Sequence, residues 1–310
     1  MEIDGELMVL ARHKRFLVWL VLSLVAWWPA LRVLVHTAIA DENYSYTLLV
    51  LGVTVILLCL ERWPRPAESK PSLPGLLAVL AVLAAFARWN FRSPVRGGDL
   101  RLTLSIFFWI AFVVLAFLEI YGWQAFTRLN FPFLFSLLAV PLPTRVIEAV
   151  VVALQWGSAE ATYLLLRLFR IPVVRDGMVF SFSNVDIEVA QECSSIRSST
   201  ILFVTTLVIA QMFLRSKRNK LLVALISLPV SVLKNGIRIF TLSVLAEYVS
   251  TGWLDTPLHR QGGFIFLSLG LVIMLAVIWL FSRAESRQTR IPRLEAESPG
   301  EDCGKPTINR

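Results

Sequence analysis

A chain of 310 residues with 56% hydrophobic and only 17% charged residues is too apolar for a soluble domain, which sits near half apolar with about a quarter of its residues charged. The net charge of +8 is spread over short clusters beside apolar runs, with no polar domain to carry a nucleic-acid-binding face. Three cysteines and three histidines, none grouped at zinc spacing, exclude a disulfide-stapled scaffold and lead us to expect no metal and no cofactor.

A membrane span needs about 20 apolar residues to cross a hydrocarbon core of about 30 Å. In chain order the candidates are residues 16–36, 46–60, 74–88, 102–120, 131–142, 199–214, 221–240 and 262–281. The first follows the basic stretch RHKR and exceeds a signal-peptide h-region, so it reads as an uncleaved anchor. The fifth is short and is broken by Pro141 and Pro143. Residues 144–170 have a helical pattern, with Thr144 as a candidate N-cap, and read as lying in or near the outer interface. MVFSF (178–182) and VDIEV (185–189), preceded by the turn RDG (175–177), read as a small extracytoplasmic β-hairpin within about 171–190.

The expected fold is therefore all-α, a polytopic integral membrane bundle of about eight transmembrane helices with one small hairpin before the sixth. Residues 1–283 form a single transmembrane domain. Residues 284–310, charged and proline-bearing, read as a disordered cytoplasmic tail. The basic clusters RHKR (12–15), RSKRNK (215–220) and SRAESRQTRIPR (282–293) fall inside when both termini are cytoplasmic, as the positive-inside rule favours. RWNFRSPVRGGDLR (88–101), with four arginines, dissents from that arrangement.

Ionisable groups at membrane depth are costly and mark functional sites by default. The stretch QECSSIRSS therefore stands out at the start of the sixth span. Ser194 or Ser195 can cap the following helix, which places the thiol of Cys193 near a helix N-terminus. Partial positive charge there, with Arg197 one turn along, favours thiolate. Glu192 and Ser194 complete its polar company. Cys59, mid-span, reads as a small buried hydrophobe, and Cys303 in the tail as incidental.

In the seventh span Asn235 and Arg238 share a face, and Arg238 lies about 27 Å along the helix from Lys220, close to the outer interface. A guanidinium fork suits clamping an oxyanion. Lys234 reads as a snorkelling residue paired with lipid phosphate. His259, just before the eighth span, can serve as acid and base. Cys193, Arg238 and His259 thus fall at one membrane face, the minimum set for thiol acyl transfer.

These residues resemble the exosortase/archaeosortase family of membrane cysteine transpeptidases. DENYSYTLLV resembles its Tyr-Ser-bearing outer loop, FPFLFSLLAVPLPT its Pro-Leu-Pro segment, and IPVVRDGMVFSFSNVDIEVAQECSSIRSS the approach to its active-site cysteine. NGIRI and LHRQGGF resemble its arginine and histidine motifs. The resemblance implies Cys193 as nucleophile, Arg238 as active-site arginine and His259 as acid/base, with Arg197, Asn235, Glu192 and Ser194 supporting. It further implies a multi-pass cell (inner) membrane enzyme with an extracytoplasmic site. The implied partners are secreted proteins with a C-terminal motif, a helix and a basic end (Pro-Glu-Pro in the common bacterial form, PEP-CTERM). The acceptor is an amine or water, beside membrane lipid. The rival readings are a transporter with Arg238, Lys234 and Glu247 along a polar path, a non-catalytic assembly or export factor, and a lipid-modifying enzyme.

Overall fold

The computed structural model describes residues 2–61, 73–90, 96, 99–189, 196–249 and 263–296. Apolar runs long enough to close many i to i−4 bonds become helices, because in lipid the backbone must satisfy itself. Among the described residues, six helices are long and apolar enough to cross a membrane, or seven if one bent pair counts as a single span. The bundle is all-α apart from one small sheet. The chain divides into two compact units, residues 1–153 and 154–310.

The N-terminal unit opens with α1 (Glu2–Ala26) and α2 (Trp28–Ala40), which the sequence suggested as one span. They bend by 69°. Pro29, in the first turn of α2, lacks an N–H and its ring crowds the carbonyl one turn back, so an α-helix breaks there. Trp27 fills the break: it is 0% exposed, donates Nε1–H to the Ser105 carbonyl at 2.9 Å and stacks on Phe86 with centroids 4.0 Å apart.

Next come α3 (Tyr46–Leu60), α4 (Leu73–Asn90) and α5 (Leu100–Arg128), at the second, third and fourth expected positions. Cys59 is exposed near the end of α3, not buried as its mid-span position suggested. Inside α5, Gly122 takes φ 79° and ψ 173°, a conformation open in practice to glycine alone. The chain turns there without a loop, and Phe133 of the short α6 (Asn130–Ser136) packs on Phe117 with centroids 4.7 Å apart. Phe16, Phe117, Tyr121, Ala125, Leu129 and Phe133 form one buried cluster.

The fifth expected span is thus a seven-residue helix followed by a 3-10 turn, Leu137–Ala139. Pro141 and Pro143 cannot donate backbone bonds, which ends it. The next helix, α7 (Thr144–Leu168), is 25 residues long and passes the length and apolarity test for a span, a status the interfacial reading had not given it. Thr144, expected as its cap, is its first residue. The two motif segments before α3 and α7 meet in this unit: the Tyr44 and Thr144 hydroxyls lie 3.3 Å apart, and the Tyr46 hydroxyl accepts from Leu142 N–H at 3.4 Å.

In the C-terminal unit a three-stranded antiparallel sheet follows α7, where a two-stranded hairpin was expected. Its strands are β1 (Val174–Asp176), β2 (Val179–Ser181) and β3 (Asp186–Glu188), in that order. RDG is not simply a lead-in turn: Arg175 and Asp176 pair with Phe180 and Val179. Gly177, at φ +58°, opens the two-residue link, a place that favours glycine.

Three long helices complete the unit: α8 (Ile196–Phe213), α9 (Lys217–Tyr248) and α10 (Gly263–Ala296). They bury Leu202, Ala210, Leu214, Val223, Met274 and Ile278 between them. The last helix runs to Ala296, past the expected tail boundary at 284. Glu285 ties it down, accepting from the N–H groups of Arg215 and Ser216 at 2.8 and 3.0 Å and from Asn219 at 2.7 Å. It thereby ties the turn that leads into α9, and the Asn219 side chain in that helix's first turn, to the last helix.

Candidate functional site

Of the seven residues singled out from the sequence, Cys193, Glu192, Ser194 and His259 lie outside the described residues, and Arg197, Asn235 and Arg238 lie within them. The structure is therefore informative about the frame around the nucleophile segment and about the arginine helix.

Both ends of that frame are fixed. On the upstream side Val189, 1% exposed, donates to the Met178 carbonyl at 3.0 Å and accepts from Gln155 Nε2 of α7. Two clamps hold the sheet. Arg175 pairs with Glu160 of α7 at 2.8 Å, its guanidinium 5.3 Å from the Tyr163 ring centroid. Asn184, in the β2–β3 turn, donates its N–H and its Nδ2 to the Glu247 carboxylate of α9, each at 3.1 Å. On the downstream side α8 begins at Ile196, with Arg197 exposed in its first turn and Ser198 half-buried beside it.

Three helices converge on α9 at one level. Asn235, 1% exposed, donates Nδ2–H to Ser158 Oγ of α7 at 2.9 Å. Thr162 Oγ1 donates to the Gly236 carbonyl at 3.2 Å. A Cβ on Gly236 would lie 2.5 Å from that of Ala161, so only glycine permits this approach. Close backbones and hydroxyl or amide bonds are how helices associate in lipid, where apolar burial alone gives no preference.

Lys234 departs from the snorkelling reading. It is 2% exposed and donates from Nζ to Ser198 Oγ of α8 at 2.5 Å. Its stem crosses α10 at Gly270, where an added Cβ would lie 3.2 Å from Lys234 Cδ. Arg238 follows one turn later, half-buried on the same face as Lys234.

Sequence reasoning misread Lys234 and missed Ser158 and Gln155. For Ser158 a signal was present: GSAEAT (157–162) spaces Gly157, Ser158, Ala161 and Thr162 as small residues one turn apart, a pattern of close helix packing. For Gln155 no local signal exists, since its partner comes from the far end of the sheet.

A polytopic helical membrane protein with an arginine, an asparagine and a buried lysine gathered where three helices meet a small sheet is the class that these features define. Within that class the chain belongs to the transmembrane exosortase family, whose model matches residues 28–276. No curated protein and no solved structure matches. Membership points to a membrane transpeptidase acting on sorting signals of secreted proteins.

Proposed function

We propose that the protein is a membrane-embedded cysteine transpeptidase or protease that cleaves the C-terminal sorting signal of secreted proteins through a thioester on Cys193. The observation that carries this reading is the family match over residues 28–276, which takes in the motif order Cys193, Arg238, His259. The Lys234–Ser198 bond is in keeping with it, joining the helix that starts three residues after Cys193 to α9, one turn from Arg238.

The thiolate of Cys193 attacks the scissile carbonyl carbon, forming a C–S bond, while the carbonyl electron pair moves onto oxygen. The Arg238 fork steadies that oxyanion. On collapse the C–N bond breaks, and the leaving amine takes its proton from the His259 imidazolium. An incoming amine or water, deprotonated by the neutral imidazole, then displaces the thiolate. A substrate tail helix lying in the same bilayer fixes the depth of the scissile bond and raises its effective concentration.

The positive-inside rule supports cytoplasmic termini in a cell membrane and an extracytoplasmic site. In this reading, substrates carry a short motif, a transmembrane helix and a basic end. The test is Cys193→Ala and Cys193→Ser with a co-expressed secreted reporter bearing a Pro-Glu-Pro motif, an apolar helix and a basic end. Both variants should lose tail release and the thioester adduct detected by mass. Release at the wild-type rate in either variant would overturn the reading.

A further inference from the structure

A lysine held inside a helix bundle in lipid is expensive, and among the described residues no carboxylate ion-pairs with Lys234. Its hydrogen bond goes to a neutral hydroxyl, Ser198 Oγ. A cross-link between helices does not need a cation: one residue on, Asn235 makes one to Ser158 with an amide, at lower desolvation cost. The surroundings are shaped to hold the lysine. Gly270 leaves room for the stem, and Leu202 lies against the same notch, its Cδ2 3.2 Å from where a Cβ on Gly270 would stand.

The two ends of the bond explain the cost. Ser198 is in the first turn of α8, five residues after Cys193, and Lys234 is four residues before Arg238, a rise of about 6 Å on α9. We propose that Lys234 is a positioning residue: through Ser198 it sets the first turn of α8, five residues on from Cys193 in the chain, in register with the Arg238 turn of α9. Resting on the cysteine reading above, the assignment adds a residue that contacts neither substrate nor reacting atoms. Gly270 serves it by keeping α10 off the lysine stem. The ammonium also adds positive charge beside the helix N-terminus, where a thiolate is favoured.

The experiment is alkylation of Cys193 by the uncharged reagent iodoacetamide in the full chain with Cys59 and Cys303 replaced by alanine, measured on folded protein in lipid vesicles. Lys234→Met and Ser198→Ala should each slow alkylation by about fivefold. The pair together should be no slower than the worse single variant, since the two residues act as one device. Lys234→Arg, which keeps a cationic donor, should stay within about twofold of the parent.

Ser198→Ala removes a single oxygen and tests the proposal even if Lys234→Met does not fold. Alkylation within about twofold of the parent in Ser198→Ala overturns it, as does equal slowing by Lys234→Arg and Lys234→Met in folded protein. The readout needs no substrate. If tail release survives Cys193→Ala, the cysteine mechanism falls while the alkylation series still decides the role of Lys234.

Discussion

In the N-terminal unit, α1 and α5 meet through rings: Phe16, Phe117 and Tyr121 pack with centroid separations of 4.6 to 5.8 Å. In the C-terminal unit, α7, α8 and α9 meet through Ser158, Ser198, Thr162, Lys234 and Asn235, with Gly236 pressed against Ala161. Of the three rings Tyr121 alone is polar, its hydroxyl 2.6 Å from His13 Nδ1 of α1. Phenyl rings in a bilayer carry no desolvation cost and need only shape. Amides and ammoniums carry a large one, so their presence says that position, and not cohesion alone, is being specified. Under the proposed function the first unit serves as scaffold and the second carries the site.

Substitutions can break that contrast, and the largest effect is expected in the scaffold. Phe117→Ala should cost about 3–5 kcal/mol by opening a cavity among the rings. Thermal unfolding in detergent should show it, with tail release per folded molecule unchanged. Loss of release per folded molecule would mean that the scaffold takes part in the site.

Arg238→Lys should do the converse: about a 100-fold drop in tail release, because a point charge does not replace a fork, with the unfolding midpoint unmoved. Gly236→Ala falls between the two. It should cost about 1–3 kcal/mol by driving α9 off α7, and Ala161→Gly in the same chain should restore most of the loss in a thermal scan. The smallest effect is expected far from the chemistry. Glu285→Gln should cost about 1 kcal/mol, because the amide keeps one acceptor oxygen of the two and loses the charge, read as a small fall in midpoint with release per folded molecule intact.

Much of the fold was legible because apolar length is a local signal. Runs predicted at 46–60, 74–88, 199–214 and 262–281 appear as α3, α4, α8 and α10 within a few residues, α10 overrunning only at its C-terminal end. The misses differ in kind. The α1–α2 break had a local mark in Pro29, and the third strand had one in Gly177, at the turn between Val174–Asp176 and its partner strand. The Lys234 interaction had none, because it depends on a serine 36 residues away. Of the candidate site, Asn235 and Arg238 were readable from their spacing and their cost at membrane depth. What the spacing could not give is that Asn235 is spent on Ser158 of α7, which makes it a strut before it is anything else.

Gly122, the single residue at φ 79° inside α5, has a consequence for how the first half of the chain can change. By kinking the path without a linker, it leaves Phe133 packed on Phe117, so part of the ring cluster can assemble from neighbours in sequence before distant helices arrive. A methyl group at that corner would oppose the kink itself, and the rings on either side would lose each other together. The corner tolerates no graded variation, whereas each ring around it can be exchanged singly.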